Sequence, residues 1–104
     1  MTKLVAVTAC IAGIAHTYMA KANLEKYAKK NGVAIKVETQ GAMGIENKLK
    51  SQEIEEADAV IFAVDTNVAE RERFNGKKII EVGTSEVVKD GATTIQKAIE
   101  LGQK

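Results

Sequence analysis

The fold is decided by residues 4–17, which read LVAVTACIAGIAHT. The first five form a short, nearly continuous apolar run, which predicts a strand that is buried on both faces. Beyond the turn, a helix is predicted from about residue 16 to residue 30, because its apolar positions follow one helical stripe. Those positions are Ala20, Leu24, Tyr27 and Ala28. This part of the chain therefore predicts a strand, a tight turn and a helix.

The alternation of strands and helices continues along the chain. Three further strands are predicted at residues 33–38, 59–64 and 78–82. A short helix is predicted at 51–57, and a C-terminal helix is predicted to open at the capping-box pattern TTIQ, residues 93–96. Such a series indicates an α/β protein with a small parallel sheet covered on both sides. In these sheets binding and catalytic residues lie where strands end and helices begin. The turn after the first strand is therefore the first candidate for a functional site.

The composition limits the class of protein. With 104 residues, 45% of them apolar, the chain suits one domain spanning residues 1–104. Fifteen basic and fourteen acidic residues leave a net charge of +1, so no strong field attracts a nucleic acid or an anionic membrane. The single cysteine, Cys10, excludes an internal disulfide framework and a cysteine-rich metal site. We therefore expect a reduced, cytoplasmic protein.

The N-terminus raises export as an alternative, because the tetrad VTAC at residues 7–10 resembles a lipoprotein cleavage box. The apolar segment before Cys10 has only six residues, below the roughly 7–15 of an export signal. No apolar run approaches the roughly 18 residues that cross a bilayer. A buried strand explains the segment better, and a start at Met1 without a linker favours a free-standing protein.

The turn at residues 10–17 is the candidate functional site. It leads from the carboxyl end of a strand into a helix N-terminus, where backbone N–H groups and the helix dipole form an anion site. A thiol at the mouth of this site ionises more readily, and the thiolate is a nucleophile. The same amides would then hold three phosphoryl oxygens, which predicts an acceptor and carrier of phosphate. The alternative is that Cys10 is a small buried hydrophobe.

Other residues of the turn have two interpretations each. His16 either neutralises or orients a phosphoryl group, or its ring hydrogen-bonds a backbone group at the helix start. Thr17 is either a phosphate ligand or a capping residue, and the capping role is favoured. Gly13 supplies backbone freedom, either as a positive φ or as a close approach of the loop to an anion.

A thiol phosphatase is a second class of protein with a similar turn. Low-molecular-weight tyrosine phosphatases have a cysteine, five residues, and then Arg with Ser or Thr in a similar strand-loop-helix. This chain has His16 and Thr17 at those positions, so the arginine that binds phosphate with two parallel hydrogen bonds is absent. Asp65 is the one plausible acid, and an Asx turn or a helix cap with the following residues explains it more simply.

Three blocks of sequence resemble the fructose-family IIB components of the bacterial phosphoenolpyruvate-dependent sugar phosphotransferase system. The first is VAVTAC at residues 5–10 followed by GIAHTYMA at 13–20. The second is VETQG at 37–41 with GIEN at 44–47, and a weaker third contains Asp65, Arg73-Phe74 and Gly76-Lys77. The resemblance spans nearly the whole chain, and the first block is distinctive.

The resemblance implies a four-stranded parallel sheet flanked by helices, with a phosphate-binding loop after the first strand. It also implies that Cys10 accepts a phosphoryl group from a phosphohistidine on the IIA component. Cys10 would pass that group to fructose or a related sugar, bound by the membrane IIC component, with this domain peripheral to the permease. Neither a metal nor a nucleotide cofactor is required. The implied phosphate-binding residues are Ile11, Ala12, Gly13, Ile14, Ala15, His16 and Thr17.

One departure from the family pattern lies beside the cysteine. The family usually has Pro-Thr where this chain has Ile11 and Ala12. Ile11 adds an amide N–H but loses the fixed φ of proline, and Ala12 loses a hydroxyl that could bind phosphoryl oxygens. We expect a slower but active carrier, and a non-catalytic regulatory paralogue is the alternative.

Three further sets of residues complete the predictions. Residues 40–44, QGAMG, form either a simple turn after the second strand or a loop that shapes the partner-docking face. Glu46 and Asn47 predict a helix start. Arg71 and Arg73 are the nearest cationic candidates for phosphate or partner contact, although a solvated face is the simpler interpretation.

Overall fold

The computed structural model describes residues 2–9, 14–41 and 44–103. The strands are β1 (Lys3–Ala9), β2 (Ala34–Gly41), β3 (Gly44–Glu46), β4 (Ala59–Val64) and β5 (Ile79–Val82). The helices are α1 (Ile14–Lys30), α2 (Ser51–Glu56) and α3 (Thr84–Gly102), with a 3-10 turn at Arg71–Phe74. No helix in these ranges is long and apolar enough to cross a membrane.

The strands form one mainly parallel sheet in the order β3-β2-β1-β4-β5. β1 lies between β2 and β4, and β5 pairs with β4, all in parallel. The predicted α/β class and parallel sheet are confirmed, but the predicted count of four strands is wrong. β2 continues to Gly41, and the short β3 returns antiparallel beside its end. Gly44, with a φ of +94°, adopts the left-handed backbone with which β3 begins.

Each face of the sheet has its own core, because side chains alternate along every strand. The face covered by α1 and α3 includes Leu4, Ala6, Leu24, Ile61 and Ile95. The opposite face, covered by α2 and the 3-10 turn, includes Val5, Val7, Ile54, Phe62 and Phe74. Every residue of β4 is buried, as its continuous apolar sequence predicts.

The C-terminal helix begins earlier than predicted. It starts at Thr84 rather than at Thr93, and it is broken at Asp90, whose φ of −150° and ψ of 67° are not helical. Asp90 accepts hydrogen bonds from the backbone N of Thr93 at 3.2 Å and from its hydroxyl at 2.6 Å. Asp90 therefore caps the restarted helix, and the predicted capping box at residues 93–96 is wrong, because Thr93 already lies within the helix.

Candidate functional site

The site predicted from the sequence lies at the carboxyl end of the central strand. β1 ends at Ala9, whose carbonyl accepts a hydrogen bond from the backbone N of Asp65 at 2.9 Å. α1 begins at Ile14. The intervening residues of the turn lie outside the described part of the chain; they are Cys10, Ile11, Ala12 and Gly13. The described ends show that β1 leaves the sheet between its two parallel neighbours, β2 and β4.

The start of α1 provides the features of an anion site on one side of the turn. Its first turn contains no acidic residue, and its N-terminus carries the positive end of the helix dipole. Ile14 and Ala15 are the first two residues of the helix. His16 is exposed and Thr17 is buried. Because the helix begins at Ile14, Thr17 is its fourth residue, and the predicted capping role of Thr17 is wrong.

Tyr18 connects the start of α1 to the edge of the sheet. Its hydroxyl donates a hydrogen bond to Glu46 of β3, and this bond raises the pKa of Tyr18 above its ordinary value. Tyr18 is 41% exposed and Met19 is 49% exposed, the large apolar side chains most open to solvent among the described residues. The predicted helix start at Glu46 and Asn47 is wrong, because Glu46 closes β3 and the chain then bends.

Asp65 follows the carboxyl end of β4 and caps α3. Its carboxylate accepts hydrogen bonds from the backbone N of Thr84, at 3.1 Å, and from the Thr84 hydroxyl. Gly83 precedes that helix, and a Cβ there would lie 3.2 Å from Asp65 Oδ1. The expected capping role is therefore correct in kind, but the helix is α3 and not the segment after Asp65. Sequence reasoning missed this contact because the two residues are nineteen positions apart.

The residues predicted around the second block lie within the sheet. Gln40 and Gly41 belong to β2, so the predicted turn at these two positions is wrong, and Ala42 and Met43 lie outside the described residues. Gln40 is buried on the face covered by α2, where its side chain bonds the backbone of Ala69. β2 is therefore three residues longer at its carboxyl end than predicted.

Both arginines that the sequence offered as cations are paired in the structure. Arg71 bonds Glu81 at 3.2 Å and lies 4.9 Å from the centre of the Phe62 ring. Arg73 binds the buried carboxylate of Glu38, so the predicted solvated position of Arg73 is wrong. Glu38 is a buried charged residue that the sequence analysis did not single out. The sequence gives little signal for it, because Lys36, Glu38 and Gln40 form one polar side of β2, which is typical of a strand face exposed to solvent.

A mainly parallel sheet covered on both faces by helices defines an α/β domain, and in the sequence the single cysteine follows the central strand. The family model described as "PTS system, Lactose/Cellobiose specific IIB subunit" matches residues 5–97. The chain belongs to this family of phosphotransferase-system IIB components, and the membership expected from the sequence is confirmed.

The relatives point to the fructose type within this family. The chain is 51% identical to "PTS system fructose-like EIIB component 2" of Escherichia coli, over 86% of this chain and 84% of that protein. It is 50% identical to a "PTS system fructose-specific EIIABC component" of Bacillus subtilis, over 93% of this chain and 15% of that protein.

A solved structure agrees with these relatives in both fold and sequence. It is a domain of the fructose-specific IIABC component from Borrelia burgdorferi, with a TM-score of 0.90 and 44% identity. The match covers 95% of this chain and 94% of that domain. The protein is therefore a IIB component of the fructose type, which is a phosphotransferase component with a role in sugar uptake.

Proposed function

We propose that Cys10 is the phosphoryl carrier of this IIB component. Cys10 receives the group from a phosphohistidine of a IIA component and passes it to a sugar held by a membrane IIC component. The observation that carries the proposal is the position of the lone cysteine between the end of β1 at Ala9 and the start of α1 at Ile14. A thiolate suits a relay because it is both a good nucleophile and a good leaving group.

The proposed chemistry consists of two displacements at phosphorus. In the first, the thiolate of Cys10 forms a bond to phosphorus and the bond from phosphorus to the histidine nitrogen breaks; the other ring nitrogen carries a proton, so histidine leaves neutral. In the second, a sugar hydroxyl attacks the same phosphorus and transfers its proton to a base at the acceptor site, and the thiolate of Cys10 leaves. Backbone N–H groups of residues 11–17 bind the phosphoryl oxygens through both steps, helped by the dipole of α1.

The proposed partners follow from how relatives are assembled. The Bacillus subtilis relative is named as an EIIABC component, and the matching domain is only 15% of its length. A IIB domain that shares one polypeptide with A and C parts supports a relay among the three. For this chain we propose a IIA donor and a IIC acceptor, with fructose or a related sugar as substrate and a position peripheral to the permease.

A carrier is favoured over a thiol phosphatase by the charges around the turn. A phosphatase needs a bidentate arginine for the transition state and an acid for the leaving group. His16 stands at the arginine position, and the two nearby arginines, Arg71 and Arg73, bind carboxylates of this chain. Asp65 accepts hydrogen bonds from Thr84. Without a bidentate arginine and a free acid, hydrolysis of the phosphocysteine should be slow. The phosphoryl group then persists until a partner docks.

The experiment that tests the proposal is intact-mass measurement after phosphorylation. The protein is incubated with phosphoenolpyruvate, the general phosphotransferase proteins and the IIA domain of the Bacillus subtilis fructose component. We expect one phosphate on the wild type and none on Cys10→Ser. Phosphate on the serine variant at the wild-type rate contradicts the assignment. In parallel, Cys10-dependent turnover of para-nitrophenyl phosphate near 1 per second, the low end of typical enzymes, would indicate a phosphatase instead.

A further inference from the structure

A fully buried carboxylate lies on the sheet face that α2 covers, outside the cysteine turn. It belongs to Glu38 in β2. The Arg73 guanidinium binds it with two parallel hydrogen bonds of 2.9 Å, from Nη1 to Oε1 and from Nη2 to Oε2. Oε1 also accepts from the backbone N of Leu49 at 2.8 Å, and Oε2 from the side chain of Gln40 at 2.7 Å. Four donors therefore converge on one carboxylate.

The pair is charged at neutral pH. Burial alone would raise the pKa of Glu38, but the hydrogen bonds from Arg73, Leu49 and Gln40 outweigh burial and hold that pKa below its ordinary value. The same carboxylate raises the pKa of Arg73. An ion pair with all its hydrogen bonds made resists separation more strongly than an exposed one.

The pair joins three segments at one end of the sheet. Glu38 lies near the carboxyl end of β2, and Leu49 belongs to the segment between β3 and α2. Arg73 belongs to the connection between β4 and β5. We call residues 47–50 and 66–74 the rim segments. Residues 66–74 follow β4, whose last residue pairs with Ala9 at the end of β1, and residues 47–50 connect the antiparallel β3 to α2.

Two further contacts tie the rim segments to β2 and to each other. The side chain of Gln40 accepts a hydrogen bond from the backbone N of Ala69 at 2.8 Å and donates one to its carbonyl at 3.1 Å. The Lys48 ammonium lies 3.0 Å from the Glu70 carboxylate. The Glu38–Arg73 pair is the buried centre of this network, and the ion pair of Lys48 and Glu70 is at its surface.

The stability of the core does not require an ion pair at this place. Leu49, Val68 and Phe74 already bury apolar side chains from the rim segments. Replacing a buried ion pair with apolar groups of similar volume is often neutral or stabilising, whereas a bidentate pair fixes one geometry. The pair fixes the geometry of two exposed segments, one of which leaves the sheet beside the end of β1. Such a constraint is useful for holding a surface ready to bind another protein.

We infer that Glu38 and Arg73 are positioning residues for phosphoryl transfer, which hold the rim segments in the arrangement that the IIA donor meets. The inference rests on the proposed function. Neither residue reacts with phosphate: Arg73 is occupied by Glu38, and Glu38 is buried. Their effect is on the encounter with the donor and not on the reactivity of the thiol.

The test compares two double variants in steady-state transfer from the phosphorylated IIA domain of the Bacillus subtilis fructose component. The first, Glu38→Leu with Arg73→Met, removes the buried pair without leaving an unpaired charge. The control, Lys3→Met with Glu56→Gln, removes an exposed ion pair between β1 and α2, whose atoms lie 3.6 Å apart and which involves neither rim segment. Alkylation of Cys10 by iodoacetamide and the thermal midpoint are measured for both.

We expect the KM for the phosphorylated donor to rise about tenfold in the first variant, about 1.4 kcal/mol of encounter free energy. The kcat and the alkylation rate should stay within about twofold of wild type, because the thiol is unchanged. The control variant should keep the wild-type KM.

An unchanged KM in the first variant overturns the inference, and so does an equal rise in the control. A fall in kcat together with faster alkylation also overturns it, because the pair would then maintain the fold of the site itself. Failure of the proposed function gives a different result, in which the wild-type protein accepts no phosphate; the inference then falls with it.

Discussion

Position 12, two residues after the proposed carrier Cys10, is one of the two positions at which this chain departs from the family pattern. Alanine there has no hydroxyl to bind a phosphoryl oxygen. One hydrogen bond to a charged group contributes about 1.5–3 kcal/mol, so Ala12→Thr should speed transfer from the IIA donor by about tenfold or more. The measurement is the single-turnover rate of phosphorylation. An unchanged or slower rate means that the backbone amides already suffice.

A substitution at Asp65 tests whether its carboxylate has a structural or a catalytic role. Because it bonds the backbone N and hydroxyl of Thr84, Asp65→Ala removes a helix cap and should lower the free energy of unfolding by about 0.5–2 kcal/mol. Phosphoryl transfer should continue at a rate close to wild type. Urea denaturation and the transfer assay check the two parts, and a loss of transfer with stability intact would assign Asp65 a catalytic role.

The break in α3 lies against the neighbouring helix α1. The side-chain amide of Asn23, in α1, donates to the carbonyls of Val87 at 3.0 Å and Val88 at 2.9 Å, just before the break at Asp90. At Gly91 an added Cβ would lie 3.0 Å from Tyr27 Cδ2. The helices are therefore in close contact where α3 restarts.

The contact between α1 and α3 predicts how two substitutions change the stability of the protein. Asn23→Ala leaves two partly buried carbonyls without that donor, and should cost about 1–3 kcal/mol of stability. Gly91→Ala should destabilise by about 1–3 kcal/mol through crowding against Tyr27. Thermal unfolding by circular dichroism measures both. Ala92→Ser, at an exposed position of the same helix, is the control and should change stability little. Stabilisation by Gly91→Ala would contradict the close approach.

Elements decided by their own sequence could be predicted, and elements decided by distant contacts could not. β1 and β4 were predictable because continuous apolar runs are buried on both faces. β3 was missed because three residues give no periodicity, and the start of α3 was missed because its cap, Asp65, comes from another strand end. The candidate site at Cys10 was predicted from the strand before it and lies outside the described residues. The Glu38–Arg73 pair could not be predicted, because it joins residues thirty-five positions apart.

The whole molecule should respond to acid through Glu38. Its folded-state pKa lies below the ordinary value of 4.5, so it stabilises the fold above that pH. The contribution is lost as the pH falls from about 4.5 through the depressed pKa. Glu38→Gln should cost about 3–5 kcal/mol at pH 7, because Arg73 loses its buried counter-ion. Below about pH 4 the gap from wild type should narrow.

Urea denaturation of both proteins from pH 7 to pH 3 checks this dependence. The comparison with Glu38→Gln isolates the one carboxylate, since the other acidic groups titrate in both proteins. A difference between the two proteins that stays constant over the whole range would show that Glu38 is not ionised against Arg73 in the folded state.

Phosphoryl transfer from donor to sugar is a property of the whole molecule, and we propose that Cys10 carries the phosphoryl group. The direct measurement is a chase: the protein is phosphorylated with radiolabelled phosphate, separated from its donor, and added to membrane vesicles that contain a fructose-type IIC component and fructose. We predict that the label leaves Cys10 and appears in sugar phosphate, and that it stays on the protein when either the vesicles or the sugar is omitted. Label found on another residue, or released as inorganic phosphate without transfer to sugar, would contradict a phosphoryl relay through Cys10.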